Sequence, residues 1–472
     1  DTGNRVDVMV GNPPWLAYRY MPPLMQAEFR EMSEARGFWG GAAVATNQDL
    51  SALFVARATE LYLREGGRFA FVMPLAVLTR NQYAGFRSGR WSPGGTGAGG
   101  ANVNTALDTA WDLHAVKPSF FPVPASVILG TRTSESGTSA PGIENWSGRV
   151  PRRNAALSVA RPALTRAAAT ATATGQRSPY ASRFTQGATL VPRVLVLVEP
   201  AQAGPFGAGA GRRMVTSHRS SNEKQPWKEL PGMSGSVEKQ FIRPILAGDT
   251  ILPFRAKEPH LGVIPWDGKR LLQGGDDNID LYPGFADWWR SAERVWESHR
   301  TNDKLSLLDQ LDYRRKLQAQ FPAAQHRVVY SASGMYLAAA RVSSETAVTS
   351  HVLYWATAST IDEARFLTAI LNSPALLELV RPLQARGEHN PRHFDKYVFQ
   401  VPFPLYDEEN DQHQRIADLA ARAEAVAGGV ELPSGSFQVQ RRRIREVLVA
   451  DGVGPEIDQA VLALLAPTTP PS

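Results

Sequence analysis

Apolar residues change their spacing along the chain, and the changes separate strands from helices. Val6-Asp7-Val8-Met9-Val10 is a short apolar run stopped by Gly11 and two prolines, which predicts a buried strand running into a rigid loop. Over residues 50–63 apolar positions recur at helical spacing, and Gly66-Gly67 is expected to end that helix ahead of the run 68–74. Strand, loop, helix and strand in that order predict an α/β sheet. Helical spacing resumes over 76–87, and 125–131 reads as another strand.

The pattern then weakens. Residues 92–104 form a Gly/Ser/Thr-rich loop, and 132–185 are rich in Ala, Thr, Ser and Arg, with a low-complexity run at 167–174, so much of this stretch is expected to be flexible. From Val237 onward order returns. Apolar runs lie at 241–246, 261–266 and 327–331, a helix-like stretch at 361–380, and 413–466 alternates helical patterns with a Gly/Pro break at 428–435. This half mixes strands and helices without a βαβ rhythm, and no internal repeat is present. The expected organisation is therefore a first domain over 1–185, a linker over 186–236, a second domain over 237–408 and a helical tail over 409–472.

Composition narrows the chemistry. With 472 residues and 43% apolar content the chain can fill at least one large core and holds two to four domains. A net charge of +6 favours a polyanionic partner. The absence of cysteine excludes disulfides, thiolate metal sites and cysteine nucleophiles. No stretch reaches the roughly 18 consecutive apolar residues of a membrane span, and the start Asp1-Thr2-Gly3-Asn4-Arg5 lacks the order of a secretory signal. The expectation is a soluble cytoplasmic protein with no membrane partner.

Gly11-Asn12-Pro13-Pro14-Trp15, directly after the first predicted strand, is the most specific feature. Asn-Pro-Pro followed by an aromatic arises by chance at roughly one position in 10⁵. An exocyclic amine such as that of adenine has its lone pair delocalised into the ring, and it needs two hydrogen-bond acceptors to be oriented as a nucleophile. The side-chain carbonyl of Asn12 and the backbone carbonyl of Pro13 supply two. The Pro13-Pro14 pair fixes two φ angles and removes two N–H groups, so the acceptors are preorganised. Trp15 offers a flat face to a base that has left its duplex. A proline-rich turn with a core tryptophan is the structural alternative.

On these residues the segment resembles motif IV of the DNA amino-methyltransferases, in the N6-adenine group related to type IIG and type I-like restriction-modification enzymes. The following Gly66-Gly67, the strand to Pro74, Leu78 and residues 83–87 are similar to the pattern that succeeds that motif, and the likeness is good over 6–91. Phe120-Phe121-Pro122 before the strand at 125 is a weaker echo of an aromatic loop near the flipped base. In the second half, Ile242-Arg243-Pro244 resembles the opening of a target-recognition domain, and Ala369 to Pro374, Arg386-Gly387 and Val401-Pro402-Phe403-Pro404 resemble its close.

The resemblance implies a partial Rossmann-like methyltransferase domain followed by a mixed α+β target-recognition domain. It further implies methyl transfer from S-adenosylmethionine to adenine N6 of double-stranded DNA, in restriction-modification or phage defence. Asn12, Pro13, Pro14 and Trp15 would be catalytic, with Trp15, Phe120, Phe121, Arg243, Arg386, His389 and Lys396 against the DNA. Arg314, Arg315, Lys316, Arg392 and His393 lie in the same half, and each, like the tail run Arg441-Arg442-Arg443 with Arg445, is either a phosphate contact or a solvated charge.

In this group the cofactor motifs precede motif IV, so they are expected upstream of Asp1, on a missing N-terminal half or a separate subunit, and the cofactor-binding residues stay unknown. No Asp…Glu-x-Lys nuclease arrangement is present. His389, His393 and Asp395 offer too few ligands for a metal, and the glycines at 94–100 and 207–211 lack a Walker lysine. A non-catalytic DNA-binding or specificity fragment is the alternative function. Methylation of another planar acceptor, such as a glutamine side chain or RNA, is a third.

Overall fold

The computed structural model describes residues 5–41, 48–91, 103–134, 142–168, 177–205, 207–220, 223–300, 304–381 and 393–466. Its architecture is mixed α/β with mixed sheets, and it divides into two compact units. The first holds Asp1–Thr174 with Leu383–Arg392, and the second Gly175–Pro382 with His393–Ser472.

The first unit is built on a seven-stranded sheet. Its strands are β1 (Val6–Gly11), β2 (Leu63–Pro74), β3 (Asn104–Leu107), β4 (Ala110–Lys117), β5 (Ala125–Thr133), β6 (Ile143–Arg149) and β7 (Leu164–Ala168). They lie in the order β1-β2-β5-β4-β6-β7, with β3 also beside β5. β1 and β2 are parallel, joined through helices Pro23–Glu34 and Ser51–Tyr62, whereas β2 and β5 are antiparallel. Alternate residues Phe69, Phe71 and Met73 of β2 are buried and pack with Val55, Ala56 and Ile128.

The helix expected to run to Gly66 ends at Tyr62, because Leu63 is already extended. Its last carbonyls are taken by a side chain from a distant strand: Nη1 of Arg132 donates to the carbonyls of Thr59, Glu60 and Leu63 at 3.2, 3.3 and 2.6 Å. A buried cation there satisfies orphan acceptors and opposes the helix dipole. The stretch 142–168, expected to be flexible, instead supplies β6 and β7. Its weak apolar periodicity belongs to strands held by ladder hydrogen bonds and by the contact of Trp146 with Trp111, at 5.3 Å between ring centroids.

The second unit contains a six-stranded sheet in the order Ser234–Glu238, Arg212–Ser217, Leu197–Pro200, His260–Val263, Ile242–Leu246 and Val348–Thr349. A four-stranded sheet runs Ala339–Val342, Arg327–Ser331, Leu353–Thr357, Thr185–Gln186. Residues 186–236, expected as a linker, therefore hold two whole strands of the larger sheet and the start of a third, and Leu190 and Val194 to Val198 are core residues. Frequent Pro and Gly around these strands disguise them, since each strand is short and long turns separate it from its neighbours.

The expected helical tail is indeed helical, over Asp411–Gly429, Phe437–Asp451 and Val453–Leu465. It is also core: Ile416, Ala420, Ile444 and Val461 pack in one cluster with Phe366, Leu367 and Ile370. Arg441 is correspondingly buried. Its Nε donates to the carbonyl of Ile251 at 2.9 Å and its Nη2 to that of Gly248 at 2.6 Å, and burial pulls its pKa down to about 10. It is neither a solvated charge nor a phosphate contact.

His413 gives this unit a pH dependence. Its Nδ1 accepts the backbone N–H of Asp407 at 3.0 Å, its ring packs on Phe366 at 4.8 Å, and burial lowers its pKa. A histidine titrating lower in the folded state stabilises above its unfolded pKa, and that contribution is lost as pH falls from about 6.5. His413→Asn keeps an acceptor near the Nδ1 position without titrating. The melting temperature of this variant is expected to fall less between pH 7.5 and 5.5 than that of the parent, and parallel curves would refute the assignment.

Candidate active site

β1 ends at Gly11, paired with Phe71 of β2, so the loop 12–16 leaves the sheet at the carboxyl end of a strand. Gly11 allows a close approach: a Cβ there would lie 3.0 Å from Cε1 of Phe71, whose ring would have to shift. Pro13 is buried and anchors the loop, while Asn12 and Pro14 are exposed. Among the described residues no hydrogen bond engages the Asn12 side chain and no backbone N–H engages the Pro13 carbonyl. Neither acceptor is taken up by another described residue, and Asn12 is open to solvent.

Trp15 is half-buried and held from two sides. Its indole Nε1–H donates to the carbonyl of Val72 at 3.3 Å, and its ring meets Phe121 with centroids 5.5 Å apart at 44°. Phe121 comes from the loop between β4 and β5, where Ser119 Oγ donates to its carbonyl at 2.7 Å. The structure thus brings together Asn12, Pro13, Trp15 and Phe121. Phe120 lies half-buried in the same loop.

A second cluster lies just past the motif. Segment 48–50 pairs with 16–18 through the N–H of Tyr18 to the carbonyl of Gln48 at 2.8 Å and the N–H of Leu50 to the carbonyl of Leu16 at 3.0 Å. Asp49 there accepts hydrogen bonds from the N–H of Ser51 at 2.9 Å, from the Ser51 hydroxyl and from the Tyr83 hydroxyl. Burial pushes the Asp49 carboxyl above the usual range and drives the Tyr83 phenol up further. Asp49 ties helix Ser51–Tyr62 to the strand-like segment after Trp15. Its one sequence signal is an Asp two residues ahead of a helical apolar pattern, the mark of a capping residue.

The cations expected against DNA have separate fates. Arg243 lies on the strand Ile242–Leu246 with its guanidinium 5.6 Å from the Phe321 ring, which stacks on Trp266 at 4.6 Å, and burial lowers its pKa. Lys396 donates from Nζ to the carbonyl of Ala181 at 3.0 Å. Lys316 donates to Oε1 of Gln186 at 2.6 Å. Arg386, His389 and Arg392 lie outside the described residues, and Arg314 and Arg315 are exposed on the surface of the second unit.

Among the described residues no three His, Asp or Glu side chains gather as a metal site. The glycines at 207–211 join two strands, Leu197–Pro200 and Arg212–Ser217, so they do not form a strand-to-helix phosphate loop. Among the described residues no helix is long and apolar enough to cross a membrane.

No family model matches the chain. No curated protein matches it either. Among solved structures it is similar over 98% of its length to the Type IIL restriction-modification enzyme MmeI in complex with DNA, at 12% identity and a TM-score of 0.49, covering 55% of that chain. It is similar over 97% of its length to the type IIG restriction endonuclease BpuSI, at 14% identity and a TM-score of 0.29, covering 54% of that chain. A third likeness, over 92% of its length at 11% identity and a TM-score of 0.38, is to DrdV in its DNA complex, covering 46% of that chain. The chain spans about half the length of these structural neighbours. At these TM-scores the likeness assigns no role to any residue.

Proposed function

We propose that this chain carries the base-binding face and the recognition region of a DNA adenine-N6 methyltransferase of a restriction-modification system, its first unit being part of a Rossmann-like sheet. The observation that carries the reading is a pair of acceptors engaged by no other described residue, Asn12 and the Pro13 carbonyl, at the carboxyl end of β1 beside the Trp15–Phe121 rings. A flipped adenine stacked on Trp15 places its two amine hydrogens toward the two acceptors. Gripping both hydrogens pulls the nitrogen toward tetrahedral geometry and frees its lone pair. The same acceptors stabilise the positive charge that develops on that nitrogen, and the departing proton leaves from the atom they hold.

S-adenosylmethionine would supply an electrophilic methyl group. The described residues do not fit that group: none forms a glycine turn from strand to helix, and the reading assigns no cofactor contact to this chain. Along β1, Val6, Val8 and Val10 share one face and are exposed, Val10 to 76%. An apolar row of that kind calls for a covering element, which the proposal assigns to a cofactor-bearing half, on the same polypeptide or on a separate subunit.

The test is transfer of a tritiated methyl group to duplex DNA, followed by nucleoside analysis of the product. N6-methyladenine is expected once the chain is joined to its cofactor-bearing half. Label in protein or RNA would instead point to another planar acceptor. The misfit to the cofactor favours a second reading, a non-catalytic DNA-binding or specificity element, and sequence-selective binding without transfer under any complementation would establish it.

A further inference from the structure

In the second unit, Arg314 and Arg315 both adopt left-handed backbone conformations, with φ of 58° at each. Side chains with a Cβ rarely occupy this region, and two in succession are held only where surrounding bonds over-determine them. Here Asp312 does so. Its Oδ1 accepts the N–H of Leu317 at 2.9 Å and of Gln318 at 2.8 Å, and its carbonyl accepts the N–H of Arg315 at 2.6 Å. Glycine would meet the backbone requirement without strain, neither arginine is buried, and the Arg315 bonds to Oε1 of Gln318 are long, at 3.3 and 3.4 Å, so packing does not explain the residue type. What arginine adds is charge.

The turn borders an open polar cleft of about 660 Å³, to which Arg270 and Lys304 also contribute. Two carboxylates line it, Asp309 and Asp312, but both are committed to the backbone. Asp309 closes a capping box with Ser306, and Asp312 holds the turn. Tyr313, 44% exposed, lies under the Arg314 guanidinium at 5.4 Å. Cations from three separate segments thus border one exposed cleft, Arg270 in an ion pair with Asp276 at 2.7 Å, and the two lining carboxylates are turned to structural bonds.

We propose that the Arg314–Arg315 turn is a preorganised phosphate clamp that grips the backbone of duplex DNA. The proposal rests on the DNA reading above but not on methyl transfer. An open cleft bordered by several cations suits a continuous polyanion, and the bonds from Asp312 fix the turn that carries Arg314 and Arg315 before binding.

The test is binding of the full chain to a fluorescent duplex over a salt series, without cofactor. Substituting both residues with glycine, R314G/R315G, is expected to weaken binding roughly tenfold and to flatten the dependence of log affinity on log salt by about two, near 0.9 for each phosphate no longer neutralised. The melting temperature should hold or rise, because glycine relieves the strain. Opposite movement of stability and affinity is a signature that a merely structural turn would not give.

As a control, exposed cations elsewhere are replaced in K239A/R415A, which should change the affinity far less. A second variant, Asp312→Ala, loosens the turn while removing a negative charge, and weaker binding despite the more favourable charge is expected. Unchanged affinity and slope in R314G/R315G, or an equal loss in the control pair, would overturn the clamp while leaving the DNA reading intact. A parent chain that binds no duplex overturns both. Competition by millimolar pyrophosphate that is itself lost in R314G/R315G, with duplex binding unaffected, assigns the cleft to small anions and also overturns it.

Discussion

Replacing Asn12 by alanine is expected to lower single-turnover methyl transfer by about 10²- to 10³-fold, the usual effect of removing one preorganised polar partner from a transition state. Asn12 is exposed and makes no hydrogen bond with any other described residue. Its loss should therefore leave the melting temperature and the duplex affinity close to the parent's. A fall in rate without a fall in binding separates chemistry from recognition. Asn12→Asp keeps an acceptor at the same position and should recover part of the rate, whereas Trp15→Ala should act mainly on capture of the flipped base, at about 1–3 kcal/mol of lost stacking. An Asn12→Ala protein that transfers at the parental rate would refute the assignment.

That site was legible because its chemistry is local. Strand, Gly11, two prolines and Trp15 are consecutive, so the spacing alone put Asn12 and Pro13 at a strand end, although Trp15 is held there by the remote Val72 and Phe121. Phe121 was readable only as one of two adjacent aromatics, because its packing on Trp15 depends on how a remote loop returns to the sheet. Asp49 and Tyr83 were not readable as a pair. They are 34 residues apart, and a lone Asp before a helix signals a cap and nothing more.

The same distinction explains the fold. Long apolar periods, such as helix Ser51–Tyr62 and the helices after Asp411, announced themselves. The strands at 142–168 and 197–217 did not, since they are short, their sheets also need the more distant strands Ala110–Lys117 and His260–Val263, and their own composition is that of loops. Arg441 shows the limit for charge. One member of a basic run is buried because carbonyls of Gly248 and Ile251 wait for it, and nothing within the run marks which member that is.

Long-range polar bonds also set the other large effect. Glu363, buried near the start of helix Ile361–Asn372, accepts from the Tyr180 hydroxyl at 2.9 Å, from Nη1 of Arg183 at 2.8 Å and from the N–H of Ser359 at 2.6 Å. The Tyr180 oxygen in turn accepts the N–H of Tyr406 at 2.9 Å, so three remote segments close on one carboxylate. Burial pushes the Tyr180 phenol above its ordinary value, and it stays a donor at any working pH. Glu363→Ala leaves the buried Tyr180 hydroxyl without an acceptor, at about 1–3 kcal/mol, whereas Ser359 is exposed and its amide turns to water at small cost. The Arg183 side chain is 43% exposed and rehydrates, so its ion pair adds little. The expected total of roughly 2–3 kcal/mol corresponds to a melting temperature about 4–6 °C lower. Glu363→Gln retains one acceptor oxygen and should lose about half as much. If Glu363→Ala melted within a degree or two of the parent, the three bonds would not be holding these segments together, and packing around Phe366 would have to carry the junction alone.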